Sequence, residues 1–409
     1  MGLVSSILQW CKLLPKFISL LVANLPDPAN CARCRAVYPQ RNSAVVRHHG
    51  PQARPLPWVA LRLRDSFVVA SYSGHMHDLP KNAMTAGSTD DWLALGLGQK
   101  HTNDNEEQAE YYVVYNYVLH NPFSNRSLPL PELDAVLVQD RSLVRKFLMR
   151  STVDDFIAVI TTNRNRPLIV FQRGKGVWSP EPWAAPYTYL IDIAFLGDKL
   201  YAITTAEDLI PLDLALDGDG RPMVAMGTRV IKKSPRYDCY ELLATFHEED
   251  NGQNEEEEDD EEEEEGEDND LAWDINCSEE FARDVEPGNI TIISRHLIES
   301  HGKLLMVRHR RQFHPVNPDA LWVTLKVDVF EADFSTHSWV PLTGGLGGGR
   351  ALFVSMDFSK SVSAPCGEVE EDAIYFMNTR EVFNMKSGTS SPSKFDRGVT
   401  WVFPPEYQL

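Results

Sequence analysis

From Trp58 onward, apolar and polar positions fall into short runs. Stretches rich in Val, Ile, Leu, Tyr and Phe are separated by clusters of Gly, Pro, Asn and Asp. Phe67-Val-Val-Ala70, Tyr112-Val-Val-Tyr115, Ile157-Ala-Val-Ile160 and Leu200-Tyr-Ala-Ile203 are examples. β-branched and aromatic residues bounded by turn formers read as strands. Their first residues lie 45, 45 and 43 positions apart. A repeat of that length matches the four-stranded blade of a β-propeller. An all-β sandwich with accidental spacing is the competing reading.

Strand–turn–strand patterns recur further on. Asp198–Thr204 is followed by Leu209–Asp213, and Gly302–Val307 by Val327–Asp333 and then Trp339. Asp372–Met377 is followed by Glu381–Asn384. The interval from Leu200 to Leu304 breaks the period, and an acidic run occupies part of it.

Ahead of Trp58 the periodicity is helical. Leu14, Ile18, Leu21 and Leu25 recur at three- and four-residue spacing and make one apolar stripe. Pro15 suits a first helical turn, and Leu25-Pro26-Asp27-Pro28 ends the segment. A second helix is expected from Ala29 to Tyr38, stopped by Pro39. The expected organisation is thus a small helical module at 8–48 and a β domain at 55–409.

Composition alters this picture in one place. The formal net charge is −20, yet Glu248 to Asp270 holds 17 Asp and Glu with no Lys or Arg. The rest of the chain is close to neutral and shows no basic footprint for nucleic acid. The 248–270 run has no apolar face to bury and is expected to be a disordered insertion. It is either a solvated loop or a tether for a basic partner such as a histone or a basic peptide.

Six scattered cysteines make no disulfide framework and point to a reducing compartment. Cytoplasm or nucleus is the expectation. The apolar stretch Phe17–Leu25 is far shorter than the ~20 residues of a membrane span, and no signal-peptide cleavage site follows it. Gly2 with Ser6 fits a loose myristoylation pattern, with Cys11 as a second lipid position.

Candidate chemistry is sparse. Cys31 and Cys34 form a lone CxxC, short of the four ligands of structural zinc. His75, His77 and Asp78, and His309 with His314, complete no metal spacing. Gly344–Gly349 is followed by Arg350-Ala351 where a phosphate loop needs Lys-Ser/Thr, so an inter-strand loop is expected. No nucleophile elbow or zinc-protease helix is visible. No catalytic, cofactor-binding or metal residue is assigned, and no enzyme activity is expected.

A family resemblance then enters. Tyr189–Tyr201, Gly302–Val307, Val329–Asp333 with Trp339-Val-Pro341, Ala373–Phe376, Asn121-Pro122 with Leu128-Pro129, and Trp401–Pro404 occur in an order similar to the plant domain-of-unknown-function-295 family. Its members are KIB-type β-propellers. The resemblance implies a propeller of about six or seven blades. It also implies an N-terminal F-box that docks on the Skp-type adaptor of a cullin ubiquitin ligase, while the propeller holds an unknown protein substrate. Leu14, Pro15, Ile18, Leu21, Leu25, Pro26 and Val37 match the F-box pattern and are the implied adaptor-binding residues. Phe17, Tyr38, Pro39 and Arg41 depart from it, so the F-box is degenerate. Two functions follow from the resemblance: a substrate-recognition subunit of an SCF-type ligase, or a stand-alone interaction scaffold that has lost adaptor binding.

Overall fold

The computed structural model describes residues 57–63, 66–71, 76–80, 82–102, 111–137, 144–163, 165–232, 280–282, 290–313, 322–364, 369–395 and 398–404. The expected helical module, all seven implied adaptor-binding residues, the 248–270 run and all six cysteines lie outside them.

Six sheets form a six-bladed propeller. Blade 1 holds β1 (Trp58–Leu63), β2 (Ser66–Ala70) and β3 (Met76–Asp78). Blade 2 holds β4 (Ala83–Thr89), β5 (Trp92–Thr102), β6 (Tyr111–Asn121) and β7 (Arg126–Pro129). Helix α1 (Pro131–Leu137) then leads toward blade 3, which holds β8 (Val144–Met149), β9 (Ile157–Thr161), β10 (Leu168–Gln172) and β11 (Gly176–Trp178). Blade 4 holds β12 (Leu190–Leu196), β13 (Lys199–Thr204), β14 (Leu209–Leu216) and β15 (Pro222–Met226). Blade 5 holds β16 (Glu280–Ala282), β17 (Ile290–Ser300), β18 (Lys303–Phe313), β19 (Trp322–Asp333) and β20 (Ser338–Pro341). Blade 6 holds β21 (Arg350–Val354), β22 (Ser359–Ser363), β23 (Ala373–Phe376), β24 (Glu381–Asn384) and β25 (Thr389–Pro392). The last strand, β26 (Thr400–Val402), returns to blade 1 and pairs antiparallel with β1, placing Val59 opposite Trp401.

Ring closure therefore joins the first strand to the last. The sandwich reading is excluded, because the sheets succeed one another around an axis instead of stacking in two layers. The blade count is six. The four periodic runs fall in blades 1 to 4 in order. They occupy the third strand of the first two blades and the second strand of the next two.

The core is distributed over six seams, one between each pair of neighbouring blades. Side-chain alternation explains the unbroken apolar runs. In β9, Ile157 and Val159 pack toward blade 2, whereas Ala158 and Ile160 pack toward blade 4. Both faces of a central strand are buried, so no polar position is left within it. At the closing seam, Phe353 stacks on Tyr375 with centroids 4.6 Å apart and meets Trp401 edge-on at 5.0 Å.

Blade 6 departs from the simple meander. Its order is β22-β21-β23-β24-β25, with β21 and β23 parallel. A β21–β22 hairpin thus supplies the innermost strand, and the outer strands follow after it.

Candidate functional site

Inner strands of a propeller converge on its axis, where side chains from different blades meet. Here three consecutive inner strands carry a β-bulge against their neighbours. The register shifts between Thr85 and Gly87 in β4, between Val144 and Lys146 in β8, and between Leu190 and Asp192 in β12. A bulge re-aims the residues beside it. Lys146 and Asp192 directly follow two of these bulges.

Lys146 and Asp192 make a buried ion pair, Nζ to Oδ1 at 2.6 Å. Lys146 Nζ also donates to Ser359 Oγ of blade 6 at 2.9 Å and lies 3.4 Å from the Leu297 carbonyl of blade 5. Asp192 accepts from the backbone N–H of Leu297 at 2.6 Å and of Ile193 at 2.8 Å. One pair of charges therefore ties blades 3, 4, 5 and 6 together. Burial pushes the Lys146 ammonium below the usual lysine range, and the Asp192 carboxylate pulls it partway back.

The remaining blades join the same polar axis. Ser88 of blade 2 lies 2.8 Å from Thr400 Oγ1 of blade 1 and donates to the Trp401 carbonyl at 2.6 Å. Asp357, in the β21–β22 turn, accepts from Ser355 Oγ at 2.6 Å. Burial pushes the Asp357 carboxyl up to about 6, against its hydrogen bonds with Ser355 and Thr400 and the field of Lys146.

Blades 4 and 5 share a second buried charge. Glu207, in the β13–β14 turn, accepts from Arg295 Nε at 2.8 Å and from Arg308 Nη2 at 2.5 Å. Its carbonyl accepts from Trp339 Nε1 at 2.8 Å. Such charge-assisted bonds are stronger than neutral ones and fix geometry.

The rims differ from one another. Strands β5 and β6 stay paired out to Thr102 and Tyr111, well past the start of β4 at Ala83 opposite Leu97. In blade 5, β17, β18 and β19 overrun the same rim, with Ile290 opposite Phe313 and Phe313 opposite Trp322. Blades 2 and 5 stand opposite one another in a ring of six. Two long hairpins therefore flank the rim where the inner strands begin.

The candidate residues named from sequence fall elsewhere. The glycine run is an inter-strand loop, as expected, and two of its backbone N–H groups turn to one carboxylate of the protein. Leu346 N donates to Asp372 Oδ1 at 2.6 Å and Gly347 N at 3.3 Å, while Lys386 Nζ lies 2.7 Å from Oδ2. Burial alone would raise Asp372; these donors more than offset it and hold the carboxyl below its ordinary range. The loop cradles an anion, and the anion is the protein's own.

His309 is buried in blade 5. Its ring stacks on Phe376 at 3.9 Å, and its Nε2 lies 2.8 Å from Thr324 Oγ1. Burial, with Arg311 adding to it, pushes His309 down to about 3. His77 stacks on Trp58 at 5.2 Å. His75 and His314 lie outside the described residues. Among the described residues no three His, Cys, Asp or Glu side chains gather as a metal site, and no helix is long and apolar enough to cross a membrane.

Sequence reading missed the axial cluster. The usable signal was a charge inside an apolar strand, as in Val144-Arg-Lys-Phe-Leu-Met149 and Leu190-Ile-Asp-Ile193. Buried charges are rare unless paired, so each called for a partner.

The KIB1-4 beta-propeller family model matches this sequence over residues 66–399. No curated protein matches the chain.

Proposed function

The chain belongs to the KIB1-4 beta-propeller family, a protein-interaction scaffold, and we propose that it serves as the target-recognition subunit of an SCF-type ubiquitin ligase. In this reading the segment before Trp58 engages a Skp-type adaptor, and the propeller holds a protein target in the cytosol or nucleus. The ligase partners perform the chemistry, and this chain supplies proximity alone.

The observation that supports a binding role most directly is the filled axis. Lys146, Asp192, Ser359 and Thr400 occupy the space where inner strands converge. The surface left for recognition is the rims, and one rim is flanked by the long hairpins of blades 2 and 5. Large, shaped, rigid surfaces suit protein targets, whose affinity comes from a few buried anchors.

The test is co-purification of the full chain from plant cells. Adaptor and cullin subunits should accompany it. The double substitution Leu21→Asp with Leu25→Asp should release the adaptor without affecting target capture. Retention of the target with no adaptor in the wild type would instead make the chain a stand-alone scaffold.

A further inference from the structure

The rim flanked by the long hairpins carries a cation that the axial network does not use. Arg145 is the residue left over at the β8 bulge, since Val144 pairs with Thr161 and Lys146 with Ile160. Bulges cluster beside functional sites because they redirect side chains. This one turns Lys146 to Asp192 and leaves Arg145 half-buried, one residue nearer the rim. No hydrogen bond or ion pair joins Arg145 to a carboxylate among the described residues.

The surroundings are electropositive. Burial first, and then Lys146, His309, Arg145 and Arg311 together, hold the ring of His296 well below the usual histidine range. Of the groups that act most on that ring, Lys146, Arg145 and Arg311 are cations, and His309, held down to about 3, is neutral at pH 7. Nearby carboxylates are committed elsewhere. Asp192 is taken by Lys146 and two backbone N–H groups, and Asp357 by Ser355 and Thr400. Like charges gathered at a low-dielectric mouth focus their field outward and raise the local concentration of anions.

We infer that this axial mouth is an oxyanion-recognition site, in which the Arg145 guanidinium grips a carboxylate or phosphate group carried on a segment of the bound protein. The inference rests on the protein-binding reading and deepens it. A guanidinium presents a planar fork of donors that matches both anions in two-point fashion. An extended segment lying on this rim between the hairpins of blades 2 and 5 can deliver such a group.

The test uses the full chain and two probes. Inorganic phosphate should raise the melting temperature above that in chloride at equal ionic strength. A capped octaglutamate peptide should bind in a salt-sensitive manner. Arg145→Gln should abolish the phosphate response and weaken the peptide by about tenfold or more, the cost of one charge-assisted contact. Arg145→Lys, which keeps the charge and loses the fork, should retain part of both. A circular dichroism spectrum matching wild type establishes that each variant is folded. If Arg145→Gln fails to fold, Arg145→Lys carries the comparison, and unchanged peptide affinity overturns the site. Equal binding by wild type and Arg145→Gln also overturns it. So does a phosphate response with no peptide binding, which would mark a site for free anions. Partners that co-purify undiminished with Arg145→Gln would remove this inference and leave the scaffold reading standing.

Discussion

Substituting Lys146 and Asp192 separately and together asks how much the propeller depends on one buried charge pair. Lys146→Met leaves the Asp192 carboxylate buried with two backbone N–H donors, from Leu297 and Ile193. Asp192→Asn leaves the ammonium with Ser359 Oγ and a long contact to the Leu297 carbonyl. Stranding one partner of a buried pair costs about 3–5 kcal/mol. Lys146→Met should fall at the lower end, because its orphan keeps two donors. Asp192→Asn should fall at the upper end, because its amide also turns an N–H toward the ammonium. The double variant removes both charges and lets the Asn carbonyl keep the Leu297 bond. Its cost should be about 1–2 kcal/mol, well below the sum of the singles. Urea unfolding followed by tryptophan fluorescence, with thermal melts alongside, measures all four corners of the cycle. Additive single costs would refute the reasoning, since the two side chains would then act independently. Singles below about 1 kcal/mol would refute it too, because the axis would then be wet enough to solvate either charge alone.

Three further outcomes follow from the same physics. His309 is depressed to about 3, so its stabilising contribution is present above the unfolded value near 6.5 and is lost as pH falls; stability should drop by about 2 kcal/mol from pH 7.5 to 5 through this group, and His309→Gln should flatten that slope. Asp357 has the opposite sign: its carboxyl is raised to about 6, so its contribution is present below pH ~4 and lost as pH rises through 6. Asp357→Asn should therefore add roughly 1 kcal/mol at pH 7.5 and nothing at pH 4, a figure discounted for its partial exposure. Gly345 has φ +132°, and a Cβ there would sit 2.6 Å from Asp372 Oδ1, so Gly345→Ala should destabilise by about 2–4 kcal/mol in equilibrium unfolding.

The blades were legible because each contributes strands whose two faces are both buried. That condition produces apolar runs such as Ile157–Ile160 and Leu200–Ile203 at nearly constant spacing. Blade 6 was harder. Its β21–β22 hairpin inserts ahead of β23, so chain order no longer follows position in the sheet. The axial cluster was least legible. Lys146 and Asp192 are 46 residues apart, and Ser88 and Thr400 are separated by 312. No local pattern encodes those meetings; they arise when the ring closes. Arg145 and Lys146 look alike in sequence, and only the bulge between Val144 and Lys146 assigns one to the axis and the other to the rim.

The β1–β26 pairing also sets the timetable of synthesis. Trp58 and Val59 leave the ribosome early, yet Val402 and Trp401, which pair with them, come among the last residues made. At ordinary translation rates the interval lasts some tens of seconds. Throughout it, β1 presents an open edge and lacks the blade 6 and β26 side chains against which Val59 ends buried. Unpaired apolar edges attract other chains. The strand that closes the ring is thus also the one whose edge stays open to other chains for longest during synthesis.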